Sequence, residues 1–173
     1  MINMIVEQKE IDCLNGKVIS DEFLPRDSVV KEKRWKARLY IYPYVPFMID
    51  FFLTAIKSYN DESLKTYTAC KDGFESLIIE KNFKGVDNFL NSNEGCVPSV
   101  SPAIITNDTF DYLFIKEIES EMFYMFGNDE FIKKVMPVSF ETYSLYYEEN
   151  QDKFKKYECY GEFMKWFWET YPK

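Results

Sequence analysis

The chain has 173 residues, a formal net charge of −8, 46% hydrophobic and 29% charged side chains, and no histidine. That fits one folded domain with a core of its own rather than a disordered segment. Without histidine, a Ser-His-Asp or Cys-His nucleophile and a helical H-E-x-x-H zinc site are excluded within the chain, and its six glycines form neither G-x-G-x-x-G nor G-x-x-x-x-G-K.

From the N-terminus, "MINMIVEQKEID" lacks the basic start and apolar core of a secretory leader, so a cytoplasmic location is expected. In "EIDCLNGKVIS", Asn15-Gly16 is the preferred pair for a type I′ turn and predicts a hairpin of about 10–14 and 17–21. Next comes "KEKRWKARLYIYPYVPF", with two of the three arginines and three lysines. From Arg34 to Tyr42 the residues alternate. Trp35, Ala37, Leu39 and Ile41 fall on one face, and Arg34, Lys36, Arg38, Tyr40 and Tyr42 on the other. Period two predicts a half-buried strand near 34–42 with the basic side chains outward. Arg34, Lys36 and Arg38 beside tyrosines could meet nucleic acid, but the acidic balance disfavours that, and pairing with the chain's own carboxylates is expected instead.

"PFMIDFFLTAIKSYND" predicts a helix, with Phe47, Phe51, Ala55 and Tyr59 recurring every four residues. Asp50 lies near its start, where the positive helix end suits a carboxylate without any catalytic role. "DESLKTYTACKDG" predicts a shorter helix closed by Gly73, and "FESLIIEKNF" fits helix or strand equally. "GVDNFLNS" suits a helical turn or two. Residues 91–107 are rich in Ser, Asn and Pro and predict a loop, with "AIIT" as a strand within it. The C-terminal third is expected to be all helical. It holds one helix from a cap at Asn107 or Asp108 to about Phe126, another from Asn128 to before Pro137, and two more over "SFETYSLYYEENQDKFKKYE" and "YGEFMKWFWETYP".

The predicted fold is therefore α+β. A small antiparallel N-terminal sheet, built from the hairpin at Asn15-Gly16 and the strand near 34–42, packs against several helices. The 173 residues form one domain, with an N-terminal α/β part of about 1–90, a loop of about 91–107 and a helical part of about 108–173. The most apolar run, "FMIDFFLTAI", is about half the ~20 residues a membrane span needs. Cys13, Cys70, Cys96 and Cys159 form no C-x-x-C pair and read as reduced thiols.

Residues 108–173 hold 8 basic and 14 acidic side chains, so most of the net charge lies there. On the expected helix, Glu117 and Glu121 share a flank with Tyr124, an acidic edge suited to a partner rich in Lys and Arg. Glu148, Glu149 and Asp152 extend that surface. In "EFMKWFWETYP", Trp168 stands apart from Phe163, Trp166, Phe167 and Tyr171 and serves either to dock the tail or as an exposed anchor. No catalytic residue, cofactor or metal site emerges. The function expected is a non-enzymatic, protein-binding inhibitor that occludes a basic partner such as a toxin or nuclease. An immunity protein or a phage or mobile-element product would fit, and the wealth of Phe, Tyr, Ile, Asn and Lys suits such genes. The alternatives are a small enzyme or ligand-binding domain working through carboxylates, and a nucleic-acid-associated subunit using Arg34, Lys36 and Arg38.

Overall fold

The computed structural model describes residues 8–20, 23–41, 45–70, 73–91, 101–117, 122–154 and 165–171; for 41, 45, 46, 73 and 150–154 it describes the backbone alone. Its frame is a single six-stranded antiparallel sheet. The strands are β1 (Lys36–Ile41), β2 (Ser63–Cys70), β3 (Gly73–Glu80), β4 (Ala103–Thr106), β5 (Tyr112–Lys116) and β6 (Met122–Gly127). Across the sheet they run β1-β6-β5-β4-β2-β3. The last strand in sequence thus pairs with the first, with Leu39 opposite Tyr124 and Ala37 opposite Phe126.

Helices cover both faces. On one lie α3 (Val45–Ala55), α4 (Phe83–Leu90) and α5 (Asp129–Val135). There Met48, Ile49 and Phe52 meet Val86, Phe89, Phe131 and Ile132 over the sheet residues Ile105, Tyr112, Phe114, Phe123 and Met125. On the other lie α1 (Gln8–Cys13), a π-helical turn (Leu14–Val18) and α2 (Asp27–Glu32). Leu14, Val18, Ile19 and Val30 pack there on Trp35, Leu39, Ile104, Leu113, Tyr124 and Phe126. Tyr147 of α6 (Phe140–Phe154) and Phe167 and Tyr171 of the C-terminal helical segment 165–171 join this second core. The residues of each strand alternate between the two cores, so the central strands are buried on both sides.

The expected small N-terminal sheet is therefore wrong. The sheet is large, and five of its six strands come after residue 60. Asn15-Gly16 lies in the π-helical turn, not in a hairpin. The residues that decide this are Ile11, Leu14 and Val18, spaced three and four apart and packed together against the core. That helical spacing overrides a turn signal two residues long. Residues 63–70, expected as helix, form β2, where Thr66, Tyr67 and Thr68 supply β-branched and aromatic bulk. The ambiguous segment at 74–80 is β3.

The largest correction concerns 108–126. In place of one long helix stand β5 and β6, every residue of which is buried except Lys116. A strand buried on both faces has no alternation, and a continuous apolar run does not separate it from a helix. The C-terminal third is thus not all helical.

Asn82 caps α4 by accepting from the Gly85 N–H at 2.8 Å, and Asn128 caps α5 by accepting from the Phe131 N–H at 2.9 Å. Asp50 is the sixth residue of α3, beyond the first turn, so the helix end does not hold it. The cysteines are not a uniform set of reduced thiols, since Cys70 is disulfide-bonded whereas Cys13 is free. Among the described residues no helix is long and apolar enough to cross a membrane.

Candidate functional site: an apolar groove between α3 and α6

β1 is an edge strand, and unpaired edge groups invite association with another chain. Here α6 closes the edge. The Leu39 N–H donates to the Tyr143 hydroxyl at 2.8 Å, and the Ala37 carbonyl accepts from the Arg38 guanidinium at 2.9 Å. That guanidinium also lies 4.6 Å from the centre of the Tyr143 ring. The Tyr40 hydroxyl donates to the Val135 carbonyl and ties β1 to the end of α5. Burial pushes both tyrosines well above the ordinary phenol range and lowers the pKa of Arg38.

These contacts revise the basic face of the strand. Arg38, only 8% exposed, is enclosed. It meets an aromatic ring and a backbone carbonyl rather than phosphate or a carboxylate. Lys36 pairs with Asp129 at 2.8 Å, and Asp129 also pairs with Lys133. Arg34 lies before the strand, exposed. The three cations therefore do not share one open face.

Tyr40 and Tyr143 also form the floor of a groove of about 400 Å³. Phe47, Met48 and Phe51 of α3 make one wall, and Val138, Thr142 and Tyr146 make the other. Phe47 is 66% exposed, and Phe51 and Val138 are also open to solvent. Phe140 and Leu145 add exposed apolar surface on α6. The two walls carry acidic side chains, while Lys133 and Lys134 precede the lining residue Val135 and the Arg38 guanidinium lies beneath the floor against Tyr143. Asp50 is the sole charged residue of α3, and residues 136–149 contain Glu141, Glu148 and Glu149 but no lysine or arginine. All four carboxylates are exposed.

The residues singled out from sequence are scattered relative to this groove. Glu148 and Glu149 are exposed on α6, the same helix that forms its second wall. Asp152 lies on α6 too, although its side chain is not among those described, and Glu121 lies outside the described residues. Glu117 follows β5 and accepts from the Tyr124 hydroxyl at 2.7 Å. Tyr124 is 1% exposed in the middle of β6, with its ring against Phe167, so it offers no surface to a partner. Trp168 stacks on Tyr147 with ring centres 4.1 Å apart and touches Phe140 and Tyr143, which fastens the C-terminal segment to α6.

No protein family, no characterised protein and no solved structure matches this chain. The groove must be judged by its own chemistry. Sequence reasoning missed Phe47, Phe51 and Val138, although α3 held a clue. Phe47, Met48, Ile49, Phe51, Phe52 and Leu53 leave almost no polar face, and a helix apolar all round needs cover on every side. The core beneath it buries Met48, Ile49, Phe52 and Ala55 and leaves Phe47 and Phe51 exposed.

Proposed function

We propose that this protein is a non-enzymatic inhibitor that binds and occludes a basic protein. Its groove takes an apolar side chain of the partner, and the surrounding carboxylates face the partner's Lys and Arg. The observation that carries this is an open apolar groove whose two walling elements, α3 and α6 with its lead-in, bear four exposed carboxylates and, over residues 45–55 and 136–149, no lysine or arginine. Apolar anchors in desolvated pockets supply most of the energy of protein interfaces, while the field around them sets partner choice and encounter rate. A toxin or nuclease with a basic surface has the required chemistry, and immunity proteins and phage-encoded inhibitors act in this manner. Glu141, Glu148, Glu149 and Asp50 replace Glu117 and Tyr124 as the contact residues, because they lie on the elements that wall the groove.

We also propose a cytoplasmic location. The disulfide at Cys70 weighs against it, because reducing compartments keep thiols free.

The test uses two synthetic amphipathic helices of equal length with identical leucine and tryptophan anchors, one flanked by lysines and one by glutamates. The lysine version should bind with micromolar affinity, weaken as salt rises, and lose about tenfold or more on Phe47→Ser or on Glu148→Lys with Glu149→Lys. Equal binding of both helices, or affinity indifferent to Phe47, would sink the proposal.

A further inference from the structure

A second cavity has a volume of about 440 Å³. It runs between α2, the start of β1 and residues 170–171, and Lys31, Arg34 and Lys36 all line it. Lys31 and Arg34 are exposed, and neither side chain has a hydrogen bond or ion pair among the described residues. Lys36 is held to Asp129 at 2.8 Å yet keeps 37% of its side chain exposed. In a chain of net charge −8, three cations around one cavity call for a cause.

The backbone at Arg34 sharpens the point. The Trp35 N–H donates to the Val30 carbonyl at 2.9 Å and the Arg34 N–H to the Lys31 carbonyl at 3.3 Å. That pair of bonds is a Schellman closure of α2, and it puts Arg34 at the residue just past the helix end. Its φ is 52°, in the left-handed region that side chains with a Cβ avoid and glycine occupies freely. An arginine stands at the one position of this turn where glycine would relieve strain. Strain retained at an unpartnered side chain that lines a cavity points to use of that side chain.

We propose that this cavity binds a small phosphate monoester. A monoester carries close to two negative charges at neutral pH. Lys31 and Arg34 carry the two positive charges that meet it, while Lys36 is shared with Asp129 and Asp27 also lines the cavity. Arg34 grips the oxygens with its planar fork, and Lys31 and Lys36 add point charges. Val30, Trp35 and Tyr171 give the organic remainder an apolar wall, which bare phosphate would leave unused. The site is independent of the α3–α6 groove and stands or falls apart from it.

Isothermal titration with phenyl phosphate, inorganic phosphate, benzoate and a single-stranded 12-nucleotide DNA tests the assignment on the full chain, on Arg34→Gly and on Lys31→Gln. Phenyl phosphate should saturate one site and bind about tenfold more tightly than inorganic phosphate or benzoate. Each substitution should weaken it about tenfold or more. Arg34→Gly should do so while raising Tm by roughly 2–4 °C, because glycine relaxes the turn. Lys31→Gln, on an exposed helical position, controls for changes in folding. The proposal is overturned if phenyl phosphate does not saturate, if Arg34→Gly binds as well as the parent or has a lower Tm, or if only the oligonucleotide binds.

Discussion

Tyr143 serves two elements at once. Its hydroxyl accepts the Leu39 N–H that β1 would otherwise leave unpaired, and its ring covers Arg38. Tyr143→Phe keeps the ring and removes the acceptor. Leaving a buried donor unsatisfied should cost about 1–3 kcal/mol, read from the midpoint of urea unfolding. Gly85 is constrained differently. A Cβ there would stand 2.3 Å from the Glu80 carbonyl oxygen, which is backbone and has little room to move. Gly85→Ala should therefore destabilise by roughly 1–3 kcal/mol despite its better helix propensity. Asp129 sets a pH dependence. Hydrogen bonds from Lys133 and Lys36 hold its carboxyl below the usual carboxylate range, at about 2. A depressed carboxylate contributes stability that is complete above its unfolded pKa and is lost as pH falls through the folded one. Between about pH 4 and pH 2 the parent should lose more stability than Asp129→Asn; parallel curves would show that the pair adds nothing.

Helix ends and amphipathic stripes were legible in the sequence because they are local. Asn128 as a cap, Pro137 as a limit and the alternation of 36–41 each depend on a few neighbouring residues. What was hidden depends on residues distant in the chain. The runs "YLFIK" and "MFYMFG" become strands because β4 and β1 lie on either side of them, and nothing within them alternates to announce it. The acidic edge at Glu117 was placed on the wrong element for that reason. The groove was hidden too, since its walls come from segments about ninety residues apart.

The two faces of α3 make a direct contrast. Phe52 is fully buried, with its ring against Tyr112, Phe114 and Phe131, whereas Phe47 is mostly exposed. Phe52→Ala should cost about 3–5 kcal/mol, and Phe47→Ser less than about 0.5 kcal/mol. A large loss at Phe47 would mean that it holds the fold together and is not free to meet a partner.

At the scale of the whole molecule, charge and apolar surface are sorted. The core on each side of the sheet is closed by helices, yet an apolar groove stays open between α3 and α6, whose exposed charges are carboxylates, and Lys31, Arg34 and Lys36 line the second cavity. The disulfide bears on where the protein works. Cys70 should resist alkylation until a reductant is added, whereas Cys13, partly exposed, should react without one. Reaction of both without reductant in freshly made protein would favour a reducing compartment.

The groove is proposed as the contact surface for a basic partner. Photocrosslinking in the cell that makes the protein tests it most directly, with benzoylphenylalanine placed at position 47, at position 138 and, on the opposite sheet face, at position 17. Positions 47 and 138 should capture the same basic protein, position 17 should not, and Glu148→Lys with Glu149→Lys should abolish the capture. Capture of that protein from position 17 alone, or capture of an acidic protein from the groove that survives the charge reversal, would contradict the account.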